Sequence, residues 1–475
     1  MTAADLAQRA VAAAAPNALA LVTHERSLML RFAAGRPTQA TAIDDFTLDI
    51  AVPLDGHVGR ASTNAADDAA IADCAERARL AAEAAAVTGA GGFPGFAPHR
   101  DSTAPARPDA PAGGPARADA PAGSPAREPF DPATAELDPA TGATALEAAF
   151  SVAAAHGVEA HGIWTVAEQE QAWALAGEAG QGERRTDAFM KVICIAPSGR
   201  SGYAASSSVA AADLDATALA ERAALKATAG GEPAELPPGD YPVVFEADAV
   251  GWLCDLLAAC AFNGLAHAEG RGALDGKLGE TVAAPAIDLA DSPGHPRTLP
   301  RSFDAEGTPK APIPLLQSGV ARAVAHDIRS AALAGNGAVT TGHALAPGGD
   351  AYGPHPTNLV LAGGGAADEA ELCAPIERGV YVTRLWYANV VRPKETLITA
   401  VTRDGTFLIE DGRVTRPLRD LRLTDSVLRI LSATSALSRE QKLASDGEFY
   451  GRRFAYGVVC PAIRADAVRF TGASG

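Results

Sequence analysis

The histidines and carboxylates of this sequence are the residues that could hold a catalytic metal. Zincin-type peptidases carry His at i and i+4 of a helix, or one residue further in HExxxH, with Glu beside the first His as general base. The chain contains one His-Glu dipeptide, His24-Glu25, and the residues after it, RSLML, hold no second His. The dipeptide falls in a predicted strand, so we interpret it as an exposed pair rather than a metal site.

A second candidate is HGVEAH (156–161), which brings two His and one Glu close together in sequence. Gly157 is expected to end the preceding helix, so His156 and His161 would not share a helical face. A metal set made of His156, His161 and Cys460 stays open as an alternative.

The apolar stretch VFEADAVGWLCDLLAACAFNG (244–264) predicts a buried helix that carries two thiols. Cys254 and Cys260 are six residues apart, roughly 240° around a helix, so they face different directions and cannot chelate one ion together. We therefore interpret them as buried free thiols. His267 and Glu269 follow in a predicted loop without partners nearby in sequence.

Two glycine-rich stretches resemble nucleotide-binding loops but lack the residues that such loops need. GALDGKLGE (272–280) has too few residues between its glycines for a P-loop, and Leu278 replaces the hydroxyl residue that binds Mg²⁺. In LVLAGGGAADEAEL (359–372), Asp368 stands where the third Gly of a dinucleotide fingerprint belongs. We interpret the second stretch as a tight turn and neither stretch as a nucleotide-binding loop, so no cofactor is expected in this chain.

The composition excludes some functions. The 475 residues contain 57 Asp and Glu against 40 Lys and Arg, which gives a formal net charge of −17. This negative field repels phosphate backbones, so nucleic-acid binding is not expected. No uncharged apolar run reaches the ~18 residues of a membrane span. The Ala-rich N-terminus lacks a preceding basic region, so we expect a surface helix and not a signal peptide.

The spacing of the cysteines indicates the redox environment in which the protein is expected to fold. They are scattered and form no C-x-x-C pair, which favours reduced thiols in a cytoplasm over a disulfide framework or a zinc ribbon. The six are Cys74, Cys194, Cys254, Cys260, Cys373 and Cys460.

Residues 1–96 are predicted to form the first part of an N-terminal domain, and residues 140–235 its second part. The expected elements of the first part are a helix over 6–15, strands LALVTH and SLMLRF, a hairpin in FTLDIAVPLDGHVGRAST turning at Asp55-Gly56, and a helix over 67–86. Those of the second part are a helix in ATALEAAFSVAAAHG, strands VEAHGIWTV, EQAWALA and DAFMKVICIA, and a helix over 215–228.

Residues 97–139 separate these two parts. They include a ten-residue repeat, PARPDAPAGG (105–114) and PARADAPAGS (115–124), continued as PAREPFDPAT (125–134). Such a composition has little to bury, so we predict a disordered Pro/Ala/Gly-rich tether.

Residues 236–475 are predicted to form a β-rich C-terminal domain, after a Pro/Gly-rich boundary at 230–242. Strands VYVTRLWYANVV, ETLITAVT, GTFLIE and RVTRPL form a meander with turns at Asp404-Gly405 and Asp411-Gly412. Because strands and helices occur in separate runs, the fold class is α+β, an N-terminal α/β domain plus a C-terminal domain dominated by antiparallel sheet.

Five phrases in the second half occur together in a recognisable order. They are GALDGKLGE (272–280), RSFDAEGTP (301–309), PTNLVL (356–361), ERGVYVTRL (377–385) and TRDGTFLIEDGRV (402–414). In this order and at these distances they resemble the TldD/PmbA family, also called TldD/TldE or "modulator of DNA gyrase". The pattern SLMLRF…LDGHVGRAST followed by a long helix resembles the family's first domain.

The resemblance implies a cytoplasmic bacterial metalloprotease system with the TldD/PmbA-type two-domain fold. In this family a TldD chain and a TldE (PmbA) chain enclose a chamber in which unfolded peptides are degraded or trimmed. The TldD chain carries HExxxH on the helix that opens its C-terminal half, and a later Cys completes the zinc site.

This sequence departs from the TldD pattern at that helix, because no His and no Glu lie between Glu246 and His267. No catalytic, metal or cofactor residue can therefore be carried over, and Cys460 would be a lone ligand. The resemblance implies a TldE/PmbA-like, non-catalytic subunit, with zinc expected in a TldD-type partner. The alternatives are a stand-alone homodimeric peptide-binding protein of the same fold, or an atypical metallopeptidase with unrecognised ligands.

Four residues of the meander are candidates for contact with substrate or partner. Trp386 and Tyr387 could supply apolar contacts, although core packing of one of them is the safer interpretation. Arg378 and Arg384 could meet a peptide carboxylate or be solvated. The sequence does not decide between these roles.

Overall fold

The computed structural model describes residues 1–89, 91–96, 128–176, 178, 180–445, 447 and 451–473. Two sheets organise these residues. The first has six antiparallel strands in the order β3-β2-β1-β4-β5-β6. Its strands are β1 (Leu19–Ala33), β2 (Arg36–Leu54), β3 (His57–Thr63), β4 (Glu159–Leu175), β5 (Gln181–Ile195) and β6 (Ser201–Ser208).

Helices cover one face of this N-terminal sheet. They are α1 (Ala3–Ala13), α2 (Asp68–Thr88), α3 (Pro132–Ala135), α4 (Pro139–Ala155) and α5 (Ala216–Ala227). Even-numbered residues of β1, such as Ala20, Val22 and Leu28, pack against them. Since side chains alternate along a strand, the odd-numbered residues face the other way, where Leu19 and Leu21 contact the C-terminal half of the chain.

The second sheet has eleven strands, and five of them close into a ring. The order is β10-β9-β8-β11-β17-β15-β13-β12-β7, and β7 also pairs with β17. The strands are β7 (Gly239–Phe245), β8 (Leu289–Asp291), β9 (Ile313–Gln317), β10 (Val320–Ala321), β11 (Asn358–Leu361), β12 (Arg378–Arg392), β13 (Leu397–Glu410), β14 (Arg413–Pro417), β15 (Leu421–Ser426), β16 (Thr434–Ala444) and β17 (Gly457–Ala473).

The helices of the second half are mostly short. They are α6 (Ala247–Ala261), α7 (Gly264–Ala268), α8 (Ile328–Ala334), α9 (Glu369–Cys373) and α10 (Val427–Ser432). The apolar residues of α6 pack with those of β12 and β17 in the largest core. Among the helices of the described residues, none combines the length and apolar character needed to cross a membrane.

The α+β fold class is confirmed, and two of the predicted turns are found. Asp55-Gly56 joins β2 to β3, and Asp411-Gly412 joins β13 to β14. All four residues have positive φ, between 47° and 78°, as this kind of hairpin turn requires.

Three predictions about the strands need correction. LALVTH and SLMLRF are one strand, β1, and VEAHGIWTV and EQAWALA are also one strand, β4. Asp404-Gly405 does not turn the chain but forms a bulge inside β13, where pairing with β12 shifts register. The bulge accommodates positive φ at both residues without ending the strand.

The C-terminal end of the predicted tether is structured instead. Residues 128–139 contain α3. Asp131 precedes this helix, and its backbone N–H donates to Thr186 Oγ1 of the N-terminal sheet at 2.8 Å. The rest of the predicted tether, 97–127, lies outside the described residues.

Candidate functional site

A cavity of about 90 Å³ lies between the two sheets, against one face of α6. We call it the α6 cavity. From α6 it is lined by Asp248, Gly251, Trp252 and Asp255, which have the i, i+3, i+4, i+7 spacing of a single helical face. Its other walls come from both sheets and are formed by Lys191, Tyr203, Arg384, Trp386, Ala444, Ser445, Tyr456, Gly457 and Val458.

Both carboxylates of this helical face are paired. Lys442 Nζ lies 2.6 Å from Asp248 Oδ2 and also donates to the carbonyl of Ala205 in the N-terminal sheet at 3.1 Å. His355 Nε2 lies 3.0 Å from Asp255 Oδ1. These contacts fix the polar side of the cavity and bind α6 to residues distant in sequence.

Arg384 forms the opposite wall together with aromatic rings. Its guanidinium is 4.4 Å from the ring centre of Tyr203 and 4.9 Å from that of Trp386. The same guanidinium is ion-paired with Asp404, which also accepts a hydrogen bond from Ser201 Oγ at 2.6 Å. The wall is therefore held by a buried ion pair and by cation–π contacts.

Two further cavities adjoin the α6 cavity. One, of about 490 Å³, shares Lys191, Arg384 and Trp386 with it, and we call it the basic pocket. The other, of about 310 Å³, shares Tyr456 and is also lined by Leu345, His355 and Phe454. We call it the aromatic pocket. The shared residues make the three spaces neighbours in a series along the junction of the sheets.

Glu246, the residue before α6, has a structural role other than capping the helix. Glu246 is the N-cap residue, yet its carboxylate makes no capping bond. It instead accepts hydrogen bonds from Tyr381 and Thr383 and pairs with Arg222 and Lys226 of α5. Glu246 thus joins the N-terminal helices to the helix that lines the cavity.

The thiols near α6 are buried and free. Burial raises the pKa of Cys254 to about 12 and that of Cys260 to about 11, and it raises the pKa of Cys460 well above its usual range. Cys460 Sγ donates to the carbonyl of Ala247 at 3.2 Å. Because a thiolate is the metal-binding form, a metal ion would have to displace the protons of these thiols in order to bind them.

The prediction that His24 and Glu25 form an exposed pair is wrong for Glu25. His24 is partly exposed and lies 2.7 Å from Asp44. Glu25, expected to be exposed, is buried. It faces the C-terminal half of the chain and accepts hydrogen bonds from Ser27 Oγ at 2.6 Å and from the Arg453 N–H at 3.1 Å.

The structure separates the other histidine candidates. Gly157 ends α4 with a φ of 65°, as expected. His156 lies 2.7 Å from Glu221 of α5, whereas His161 lies on β4 and lines the basic pocket. His267, expected in a loop, belongs to α7, and Glu269 follows at its C-terminus.

Among the described residues, no group of three or more His, Cys, Asp or Glu is placed to hold a metal ion. His156, His161 and Cys460 therefore do not form the metal set considered from the sequence.

The four candidate contact residues of β12 have different environments. Trp386 is half-buried and lines both the α6 cavity and the basic pocket. Tyr387 is 74% exposed and has a φ of 47° at a bulge of β12. Arg384 is buried, whereas Arg378 is exposed and 4.0 Å from Glu410.

Sequence reasoning missed most of the residues that line the cavities. Asp248 and Asp255 were detectable, because two carboxylates seven residues apart on an apolar helix share a face. Lys191, His355 and Tyr456 are brought to α6 only by long-range packing, and no local pattern marks them.

The phrase RSFDAEGTP places two buried carboxyl groups beside this region. Asp304 accepts hydrogen bonds from the N–H groups of Glu306 and Thr308, each at 2.9 Å. Burial raises the pKa of Asp304 to about 6 and, with the nearby Asp304 charge, raises that of Glu306 well above its usual range. Glu306 is thus held in its neutral form at pH values where an exposed Glu is ionised.

We expect the stability of Glu306→Gln relative to the wild-type protein to increase as the pH rises from 4 to 8. A carboxyl whose pKa is raised by folding contributes full stability below its unfolded pKa and loses it as the pH rises through the folded value. The variant cannot lose stability in this way. The difference in free energy of unfolding between the variant and the wild-type protein should therefore shrink towards pH 4. Urea unfolding between pH 4 and 8 measures it; exposed Glu280→Gln is the control, and an advantage independent of pH would contradict the assignment.

Comparisons with known proteins assign this architecture to a family. Residues 238–472 match the domain described as "PmbA/TldA metallopeptidase C-terminal domain", and residues 18–82 match "PmbA/TldA metallopeptidase domain 1". The two-sheet fold with a cavity-lining helix is thus that of a metallopeptidase family. The chain belongs to the PmbA/TldD family.

Curated relatives are similar over part of their length. A metalloprotease of Methanothermobacter thermautotrophicus is 26% identical over 207 residues, covering 44% of each chain. A Haemophilus influenzae protein named metalloprotease TldD homolog is 25% identical over 272 residues, covering 55% of this chain and 54% of its own. The chain therefore spans about half the length of the curated relatives it matches.

Solved structures are similar over nearly the whole chain. TldE from Thermococcus kodakarensis has a TM-score of 0.77 at 20% identity, covering 98% of this chain and 99% of its own. A Thermotoga maritima protein named for modulation of DNA gyrase also has a TM-score of 0.77 at 20% identity, covering 96% of both chains. These likenesses support the fold.

The residues of α6 do not fit the catalytic metal ion that the family name implies. The cavity-facing positions carry two Asp, Gly and Trp, and the Asp residues are engaged by Lys442 and His355. Cys460, whose thiol donates to the Ala247 carbonyl of this helix, is fully buried. Zinc peptidase sites combine several His and carboxylate ligands around an open position. The helix α6 has no His, and within the described part of the chain no group of three or more His, Cys, Asp or Glu is placed to hold a metal ion.

Proposed function

We propose that this chain is the non-catalytic, TldE/PmbA-like subunit of a TldD/TldE-type heterodimeric zinc metalloprotease that degrades or trims unfolded peptides. One observation carries the proposal. The helix α6, near the start of the C-terminal half, presents Asp248, Gly251, Trp252 and Asp255 to a cavity. These cavity-facing residues include no His and no Glu, which supports a chain without a zincin site of its own.

The series of cavities supports a role in holding an extended peptide. The spaces lie along a junction of sheets and are lined by aromatic side chains, including Tyr203, Trp252, Trp386 and Tyr456. Aromatic walls bind apolar side chains without strong selectivity, and paired polar groups fix the orientation of the ligand. Such a surface suits unfolded peptides of varied sequence.

The alternative of a homodimeric peptide-binding protein uses the same cavities but needs no zinc-bearing partner. It differs from the proposal in one result, because it predicts peptide binding without any gain of cleavage when a TldD-type chain is added. The alternative of an atypical metallopeptidase is weakened by the separation of His156, His161 and Cys460.

We expect the purified chain alone to show no chelator-sensitive cleavage of an unstructured peptide. Mixed with the TldD-type chain of the same organism, it should raise that chain's cleavage rate about 100-fold, since positioning a substrate contributes factors of this size. The measurement is the rate of cleavage of a fluorogenic, unstructured peptide by each chain and by the mixture, with and without chelator.

A variant of the α6 cavity supplies the control for this test. Gly251→Leu would place its side chain against Ala444, whose Cβ lies 2.6 Å from the position of an added Cβ. It should block the cavity and remove the gain. Chelator-sensitive cleavage by the chain alone would contradict the proposal.

A further inference from the structure

The basic pocket is positively charged in a protein that is strongly negative overall. Its lining contains the cations Arg31, Lys191, Arg384 and Arg403, and Asp404 is its one carboxylate. The formal net charge of the whole chain is −17. A concentration of cations in a concave site of an acidic protein indicates a ligand that carries negative charge.

The carboxylate of the pocket is already neutralised. Asp404 is ion-paired with Arg384 and accepts a hydrogen bond from Ser201, and it is buried. Within the described part of the chain, Arg31 and Arg403 form no ion pair, and both are exposed. Arg403 also stacks on Trp386 and interacts with the charge of Asp420. Because both arginines are exposed, their guanidinium groups can bind a carboxylate from solution.

Backbone features of two strands create the pocket. Gly162 in β4 has a φ of 153°, and an added Cβ would lie 2.0 Å from the Lys191 carbonyl oxygen. The bulge at Asp404-Gly405 shifts the register of β13 next to Arg403. Bulges redirect side chains, and the Arg403 guanidinium lies 5.6 Å from the ring centre of Trp386. Stacking on a ring orients the planar group and leaves its N–H edge open.

We propose that the basic pocket is a carboxylate subsite for the bound peptide. It receives either the C-terminal carboxylate or an acidic side chain of a peptide whose neighbouring residues occupy the α6 cavity. This inference rests on the proposed function, because the pocket adjoins the α6 cavity through Lys191, Arg384 and Trp386. It adds a preference for one chemical group to an otherwise permissive site.

Three fluorescent, unstructured ten-residue peptides test the subsite with the full-length chain by fluorescence anisotropy. One has a free C-terminal carboxylate and no acidic residue, one a C-terminal amide and no acidic residue, and one a C-terminal amide with a single Glu. We expect a carboxylate to strengthen binding about tenfold over the uncharged peptide. The peptide that gains identifies the source as the chain end or a side chain.

The double variant Arg31→Ala/Arg403→Ala should reduce this preference to about onefold, so that a carboxylate peptide binds no more tightly than the uncharged peptide. Arg413→Ala, which removes an exposed arginine of β14 outside the pocket, should keep the preference. Matching thermal melting curves for the variants exclude unfolding as the cause.

The outcomes distinguish failure of the carboxylate subsite from failure of the proposed function. Equal binding of all three peptides, or an equal loss for all three in the double variant, overturns the carboxylate subsite and leaves the proposed function standing. Failure of every peptide to bind overturns both the subsite and the peptide-holding role.

Discussion

Glu246→Ala is expected to lower the free energy of unfolding by about 3–5 kcal/mol, because it removes one side of a buried ion network. The Glu246 side chain is 1% exposed, and the Lys226 side chain, 2.7 Å away, is 11% exposed. The substitution leaves this ammonium and the hydroxyl groups of Tyr381 and Thr383 buried without their acceptor. Urea unfolding at pH 7 measures the loss.

The pH dependence of this network has a defined sign. Burial alone would raise the pKa of Glu246, but the charges of Lys226 and Arg222 outweigh burial and lower it to about 2. A carboxylate with a lowered folded pKa gives stability above its unfolded pKa, about 4.3, and loses it as the pH falls through the folded value. The wild-type protein should therefore lose stability between about pH 5 and pH 2 more steeply than Glu246→Ala.

Glu369→Gln is the matched control, since Glu369 contacts the same Arg222 at 3.0 Å but is partly exposed. It should cost less than about 1 kcal/mol, as exposed ion pairs do. Equal losses for the two variants would contradict the assignment of Glu246 as the central acceptor.

Arg453→Met is expected to cost about 3–5 kcal/mol and to weaken peptide binding. The Arg453 side chain is 2% exposed and pairs with Asp187 of β5, with both Nε–Oδ distances 3.1 Å. It also donates to Thr165 Oγ1 at 2.9 Å. Phe454 and Tyr456 lie one and three residues after Arg453. Both line the aromatic pocket, and Tyr456 also lines the α6 cavity, so loss of the Arg453 ion pair should displace the walls of these cavities.

A double-mutant cycle tests the pairing itself. Asp187→Leu/Arg453→Met should be more stable than the sum of the single losses predicts, by about 1–3 kcal/mol, because neither charge is then left alone in the interior. Arg452→Met removes an adjacent, more exposed ion pair with Asp49 and should cost less than about 1 kcal/mol. Additive losses at Asp187 and Arg453 would show that the two side chains do not act as a pair.

The first strand shows why part of the fold was misread from sequence. Thr23, Glu25 and Ser27 interrupt the apolar residues of β1, and this interruption suggested two strands and an exposed His-Glu pair. All three are buried, because the C-terminal half covers the odd-numbered face of the sheet. A local sequence pattern cannot predict this burial, because the residues that cover the strand lie more than 200 positions away in sequence.

The helix α6 shows the opposite case. The helix and its buried thiols lie within the stretch 244–264 where the sequence predicted them, because the signal comes from residues of one segment. Its bounds are shorter than predicted, since Val244 and Phe245 belong to β7. Asp404-Gly405 lies between these cases: a turn and a bulge use the same positive φ, and only pairing of β13 with β12 distinguishes them.

The metal content of the purified chain tests most directly the central proposal, namely that this chain is a subunit without a metal site of its own. The chain is purified alone without chelator, dialysed against micromolar zinc and then against metal-free buffer, and analysed by mass spectrometry. The account predicts zinc far below one ion per chain. A content near one zinc per chain would contradict it and would require a ligand set that the described residues do not form.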